Sequence, residues 1–149
     1  ALGRDYWAFP DTQVPDSVTY SIFPNAGIGC HPEALILARF LPHAKDPEKM
    51  YWDHITMYRP VKQDDDSYVV PGFMDVKPGT DLSGEIRPEA RRFSPGDKLE
   101  MGLLFEQDAE LLPAQQRGVR SRGFKGSLFG EQELRCRHFH AELDRYMAD

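Results

Sequence analysis

Cysteine and long apolar runs are scarce in this chain of 149 residues, and both shortages exclude whole classes of protein. The two cysteines, Cys30 and Cys136, lie far apart in the sequence, so the chain is not a small disulfide scaffold. No apolar stretch approaches the roughly 18 residues of a membrane span, and residues 1–10 lack the basic-then-apolar plan of a signal peptide. We therefore expect a soluble, cytoplasmic protein without a membrane partner, in which both cysteines are reduced thiols.

Basic residues are in the minority. Lysine and arginine number 18 against 24 aspartates and glutamates, which leaves a formal net charge of −6 at pH 7. A surface of that sign repels a phosphate backbone, so we expect no nucleic-acid partner. Hydrophobic residues make up 40% of the chain, which at this length is enough for one domain whose core needs no disulfide or metal staple.

Familiar catalytic motifs are also missing. The chain has no glycine-rich phosphate loop, no Gly-x-Ser-x-Gly elbow and no His-Glu-x-x-His helix, so nucleotide, serine-hydrolase and zinc-protease functions lack their residues. Three histidines have no second ligand at helical or strand spacing, and we expect structural roles for them: His31, His43 and His54. Three aromatic residues fit either a core or a ligand-binding surface: Tyr51, Trp52 and Tyr58.

The segment 17–60 has the pattern of β-structure, because short runs rich in β-branched and aromatic residues alternate with turn residues. Residues 18–23, 34–41 and 50–58 are the candidate strands. The second run is continuously apolar, which fits a strand buried on both faces or a short helix, and periodicity alone does not decide between them. Strands joined by short loops predict an antiparallel meander.

Residues 61–97 are rich in proline and glycine and contain the acidic run Asp64-Asp65-Asp66. Only 68–70 and 73–76 offer short strand candidates there. We expect a long surface excursion within a single domain that spans 1–149. Loops of this length are more often functional or mobile than inert, and an exposed insertion that tolerates change also fits the composition.

Two helices are predicted in the C-terminal third. The first begins at Asp97, with Glu100 three residues later as in a capping box, and ends near Gln116 before Gly118. Pro113 lies inside it and predicts a kink or a break. The second runs from about 130 to 148, with an apolar stripe at helical spacing. The stripe consists of Cys136, Phe139, Leu143, Tyr146 and Met147.

Helical spacing places one carboxylate on the apolar stripe of the first helix. The stripe consists of Met101, Leu104, Phe105, Asp108 and Leu112. Burying an ionised carboxylate is costly unless an opposite charge, several donors or a metal ion compensates it. Arg117 or Arg120 could supply the charge, and a metal ion is the functional alternative.

Several segments, taken in order, resemble one enzyme family. They are Tyr20-Ser-Ile-Phe-Pro-Asn25, Trp52-Asp-His-Ile-Thr-Met-Tyr-Arg-Pro60, Glu106-Gln-Asp108, Gln115-Gln-Arg-Gly118, Gly130-Glu-Gln-Glu-Leu-Arg, His138-Phe-His140 and Leu143-Asp-Arg-Tyr146. Their succession resembles the C-terminal part of the catalytic domain of Rieske non-heme iron oxygenases, the α subunits of aromatic-ring-hydroxylating dioxygenases. The resemblance implies an oxidoreductase of aromatic compound catabolism that acts on an aromatic or related organic substrate with O2.

The resemblance also implies a fold and a metal site. The fold is α+β, a helix-grip (Bet v 1/START-like) antiparallel sheet with a long C-terminal helix, of which this chain is one part. In the family two histidines and one carboxylate hold mononuclear Fe(II), and that triad leaves positions open for dioxygen. Asp108 falls at the family's carboxylate ligand, so the resemblance makes it the metal-binding and catalytic residue. Four residues are implied substrate contacts: Leu104, Phe105, Phe23 and Asn25.

The chain departs from the family at two places. The family's histidine ligands lie in an Asp-x-x-His-x-x-x-x-His segment, and no such spacing occurs in these residues. Cys136-Arg-His138 matches only the first half of a Rieske signature, and no cysteine follows it. We therefore expect iron binding only with histidines outside this chain, and a [2Fe-2S] Rieske cluster, a reductase or ferredoxin partner and a trimer only for the complete subunit.

A second interpretation belongs to another class. A non-catalytic helix-grip module that encloses a hydrophobic ligand would also have apolar helix faces and an incomplete metal site. Asp108 separates the two interpretations, because a simple lipid pocket does not need an acid on its wall.

Overall fold

The computed structural model describes residues 10, 12, 17–32, 34–58 and 80–148. These residues form a four-stranded sheet and two helices, so the α+β prediction is confirmed, and the arrangement is that of a helix-grip fold. The predicted strands at 68–70 and 73–76 lie outside the described residues. In chain order the elements are β1 (Val18–Ile22), β2 (Ala26–Cys30), β3 (Ala34–Pro42), β4 (Met50–Tyr58), α1 (Leu103–Val119) and α2 (Leu134–Met147).

The sheet is an antiparallel meander with the strands in sequence order. Val18 pairs with Cys30 at one end of the β1–β2 hairpin, and Ala34 pairs with Tyr58 in the nine-residue register of β3 with β4. The predicted meander is confirmed, but it has four strands rather than three. The sequence pattern missed β2 because its five residues include two glycines, which have little strand propensity.

The two faces of the sheet differ in what covers them. Paired residues of antiparallel strands share a face, and alternate residues of one strand lie on opposite faces. Residues 34, 36, 38 and 40 of β3 and residues 52, 54, 56 and 58 of β4 therefore lie on one face, here called the inner face, and the residues between them lie on the outer face. Ala34 and Ile36 on the inner face are 5% and 9% exposed, and Tyr58 and Phe105 pack against them. The other apolar side chains of β3, including half-buried Leu35 and Leu37, lie on the outer face. The pairing of β3 with β2 and β4 shows that this run is a strand and not a helix.

Helix α1 begins at Leu103, so the predicted start at Asp97 and its capping box with Glu100 are wrong. Asp97 instead closes a turn, in which the Ser94 amide donates to Asp97 Oδ2 at 2.6 Å and the Asp97 amide donates to the Ser94 carbonyl. Gly102 is the N-cap, with a φ of 86° that favours glycine. The sequence signal failed because an acidic residue that closes a turn has the same pattern as one that caps a helix.

The helix continues through Pro113 to Val119, so a break at the proline and a stop before Gly118 are both wrong. A proline in a helix interior lacks the amide that would bond to the carbonyl four residues earlier, here that of Ala109. The helical hydrogen bonds on either side of this point hold the two halves in one helix of 17 residues.

Helix α2 packs on the turn between β1 and β2. The Phe23 ring lies 5.6 Å from the Phe139 ring and 5.1 Å from the Tyr146 ring, centroid to centroid. Arg135 Nη1 donates to the Thr19 carbonyl at 2.9 Å. The helix begins four residues later than predicted, because Gly130 and Glu133 form a turn in which the glycine amide donates to the glutamate carboxylate.

The C-terminal end of α1 is tied to the sheet by an ion pair. Arg120 pairs with Glu48, which lies in the loop between β3 and β4. Both described cysteines are free thiols. Neither described helix has the length and apolarity that a membrane crossing requires.

Candidate substrate and metal site

One side of α1 rests on the inner face of the sheet. Phe105, Ala109 and Leu112 are half-buried and recur at helical spacing. Phe105 makes the closest ring contact, with its centroid 4.0 Å from that of His54. Helix α1 therefore faces the sheet with this stripe, which overlaps the predicted stripe but does not contain Asp108.

Phe105 joins three rings of the sheet in a group here called the aromatic cluster: Phe40, Trp52, His54 and Phe105. Phe40 stacks on its strand partner Trp52 at 5.6 Å, and Trp52 meets His54 edge-on at 6.3 Å. Trp52 also lies edge-on to Phe105 at 6.5 Å. Edge-to-face packing of this kind builds an apolar wall that suits an aromatic ligand.

His54 is the titratable member of the cluster. Burial lowers the pKa of its imidazole below the ordinary value of 6.5, so the ring is neutral at pH 7. Its Nε2 atom lies 3.1 Å from Thr56 Oγ1. The His54 Nδ1 and Trp52 Nε1 atoms are buried and have no hydrogen-bond partner within the described part of the chain.

Asp108 lies on the exposed side of α1, so the expectation that it shares the buried stripe is wrong. Ala109, the next residue, is half-buried instead. The carboxylate needs no compensating charge, and Arg120, one of its predicted partners, pairs with Glu48. Within the described residues no ion pair or hydrogen bond engages the Asp108 carboxylate, which is therefore open to a ligand.

Leu104 is a neighbour of Asp108 on the exposed surface of α1. Residues four apart in a helix lie on the same side, and the Leu104 side chain is 48% exposed. Leu104 and Asp108 thus form an exposed strip, and Phe105 next to them faces the aromatic cluster. The structure brings these three predicted site residues onto one end of α1.

The other two predicted contacts lie in the turn between β1 and β2. The Asn25 carbonyl accepts a hydrogen bond from the Phe40 amide at 2.8 Å, which places the Asn25 backbone beside the aromatic cluster. The Phe23 ring packs on α2 instead. Asn25 is joined to the site on α1 through Phe40, whereas the described ring contacts of Phe23 all belong to the docking of α2.

Sequence reasoning predicted a structural role for His54 and left Trp52 between core and ligand-binding surface, so neither was assigned to the site. The usable signal was the alternation in β4, which places residues 52, 54 and 56 on one face of a strand. Sequence could not show that α1 covers this face.

A family comparison adds to this geometry. Residues 6–149 match the model of the ring hydroxylating alpha subunit (catalytic domain) family. The chain belongs to this family. No curated protein and no solved structure matches the chain.

Membership confirms the resemblance seen in the sequence and makes the chain a ring-hydroxylating oxygenase-type catalytic domain. The described residues do not, however, supply a complete ligand set for the family's iron, because they contain no group of three His, Cys, Asp or Glu side chains suited to a metal ion. Asp108 is an exposed carboxylate, and a two-histidine, one-carboxylate triad requires one such side chain. The residues described here do not fit the metal by themselves.

Proposed function

We propose that this chain is part of an oxygenase α subunit that hydroxylates an aromatic or related organic substrate. The complete enzyme would use O2, mononuclear Fe(II) and electrons from a [2Fe-2S] Rieske cluster. The observation that carries the proposal is the end of α1, where Asp108 follows Phe105 by one turn and Phe105 packs on the aromatic cluster. Together with family membership over residues 6–149, this arrangement supports an oxygenase site.

Asp108 is proposed as the carboxylate ligand. Carboxylate oxygens are hard ligands that suit a divalent ion, and the side chain is exposed and unpaired within the described residues. Two histidines from outside this sequence would complete the set. With Asp108 as one ligand, bound Fe(II) would supply the dioxygen activation that the proposed hydroxylation needs.

Phe105 and Leu104 are proposed to line the substrate side of the site. The aromatic cluster offers ring edges and faces, which attract aromatic substrates by offset or edge-to-face packing. Asn25 reaches the cluster through its backbone bond to Phe40. Phe23 would act at a distance, through the position of the turn that it anchors on α2.

The remaining elements of the proposal concern the complete subunit. A ferredoxin or reductase would deliver the electrons, the subunit would assemble as a trimer, and the enzyme would act in the cytoplasm. These follow from the family resemblance, and the present chain would hold neither iron nor cluster when purified alone.

The test of the proposed function is Asp108→Ala in the complete subunit. We expect loss of mononuclear iron and of substrate hydroxylation, with the visible absorbance of the Rieske cluster unchanged. Glu110→Ala is the matched control, because it removes an exposed carboxylate from the same helix two residues away. Normal mononuclear iron in the Asp108→Ala subunit would show that another residue is the ligand and would overturn the assignment.

A further inference from the structure

Two polar atoms of the aromatic cluster are left without partners. Trp52 Nε1 and His54 Nδ1 are buried and make no hydrogen bond within the described residues. Both side chains lie on the inner face of β4, two residues apart, with their rings 6.3 Å apart. Buried polar groups in native proteins almost always have a partner, so two neighbouring exceptions call for one that the protein chain does not provide.

The contact with Thr56 allows both atoms to be donors. Indole nitrogen only donates, so Trp52 Nε1 requires an acceptor. His54 Nε2 lies 3.1 Å from Thr56 Oγ1. If the hydroxyl donates in this contact, the neutral imidazole carries its proton on Nδ1, and that atom also requires an acceptor.

We propose that Trp52 and His54 recognise a neutral oxygen acceptor on the substrate, such as the carbonyl of an aromatic ketone. The substrate ring would pack on the cluster, and the oxygen would receive hydrogen bonds from Nε1 and Nδ1. This inference rests on the proposed function for the statement that the bound molecule is the substrate. It adds that the substrate carries oxygen and is not a plain hydrocarbon.

A neutral acceptor fits this location better than a carboxylate. The ring partners of the two donors are Phe40 and Phe105, and the His54 imidazole is itself neutral. Arg39 and its strand partner Asp53 lie between the inner-face pairs of β3 and β4, so the Arg39 guanidinium and its ion pair with Asp53 are on the outer face. An anion on the inner face would thus be buried against uncharged rings, which is unfavourable.

Phe105 is a ring neighbour of both donor side chains. Its ring lies 4.0 Å from that of His54, and both donor atoms are shielded from solvent in this arrangement. Binding therefore requires the rings around these atoms to separate enough to admit the ligand oxygen. Because Phe105 belongs to the ring surface on which the probe would pack, Phe105→Leu should weaken the binding of any aromatic probe, whether or not the probe carries an oxygen.

The test is a titration of the full chain with acetophenone and with α-methylstyrene, which has a CH2 group in place of the carbonyl oxygen. The readout is the indole N–H signal of Trp52 in a nitrogen-15 correlation spectrum, assigned by its loss in Trp52→Phe. We expect acetophenone to bind about tenfold more tightly, the amount that one to two net hydrogen bonds provide, and to move this signal downfield.

Trp52→Phe and His54→Phe should each reduce the preference for acetophenone several-fold and leave α-methylstyrene binding nearly unchanged. Tyr51→Phe is the matched control, because Tyr51 lies on the outer face and should not alter the preference. Equal affinity of the wild-type chain for the two probes would overturn the inference, and that measurement does not depend on the folding of any variant.

The titration uses no iron, oxygen or turnover, so the two proposals can fail separately. Mononuclear iron retained by the Asp108→Ala subunit would overturn the ligand assignment and leave the ketone preference standing. A missing ketone preference would overturn the present inference and leave the iron assignment standing.

Discussion

The Phe105 ring of α1 lies on the His54 ring of β4, with 4.0 Å between centroids and 48° between planes. This contact joins the helix that carries Asp108 to the strand that carries two unpartnered polar atoms. It is also part of the small core, since Phe105 packs against Ala34 and Ile36. The candidate site and the attachment of α1 to the sheet therefore depend on the same side chain.

Replacing Phe105 by alanine should destabilise the chain. A fully buried phenylalanine costs 3–5 kcal/mol to truncate, and half-burial reduces the expected loss to about 2 kcal/mol. Urea unfolding followed by far-UV circular dichroism measures it. Leu104→Ala is the control, since its exposed side chain should cost well under half as much. Equal losses for the two variants would mean that α1 does not rest on Phe105.

The stability of the chain should fall in acid partly because of His54. Burial lowers the folded-state pKa of this imidazole below 6.5, so below that pH the unfolded chain takes up the proton more readily than the folded chain. The contribution is fully present above pH 6.5 and is lost as the pH falls towards the folded-state pKa. The free energies of unfolding at pH 7.5 and 5.5 should therefore differ more for the wild-type chain than for His54→Gln, and identical differences would contradict the assigned cause.

Pro113→Ala should stabilise α1. The substitution restores an amide that can bond to the Ala109 carbonyl, and alanine is the better helix former by about 3 kcal/mol, of which a helix already adapted to proline should regain a part. We expect a higher denaturation midpoint and a stronger helical signal at 222 nm. Gln116→Ala, also exposed on α1, should change stability little. A loss of stability in Pro113→Ala would indicate a role for the proline that the helix geometry does not show.

Asp53→Ala should have almost no effect on stability. The Arg39–Asp53 pair is a cross-strand ion pair on the outer face, and its side chains are 54% and 40% exposed. Exposed pairs of this kind contribute at most about 1 kcal/mol and are screened by salt. Chemical denaturation at low and high ionic strength should give a small difference between wild type and variant that shrinks with salt, and a large salt-independent loss would contradict this view.

The sequence pattern predicted three of the four strands and both helices, because hydrophobic runs between turn residues leave a clear signal, and the family resemblance supplied the α+β helix-grip class. Strand β2 was missed because its glycines carry little strand propensity, yet its two neighbours pair with it on either side. The start of α1 was misplaced by six residues, since an acidic residue that closes a turn resembles one that caps a helix, and α2 begins four residues after the predicted start.

The candidate site was less predictable. Leu104, Phe105 and Asp108 could be grouped by helical spacing, but the side of α1 that faces the sheet is set by tertiary packing, which leaves Ala109 half-buried and Asp108 exposed. The association of Phe105 with Trp52 and His54 joins residues about fifty positions apart. Such a contact arises from the packing of a helix on a sheet, and a single sequence carries no direct record of it.

The meander has a consequence for how the molecule opens. Every strand pairs with its neighbour in the chain, whereas the two helices are held to the sheet by a few side chains, chiefly Phe105 and Arg120 for α1 and Phe139 and Tyr146 for α2. The helices can therefore detach while the backbone ladder stays intact. Amide protons of β3 and β4 should exchange with deuterated solvent more slowly than those of either helix, so the site on α1 belongs to the part of the molecule that unfolds first.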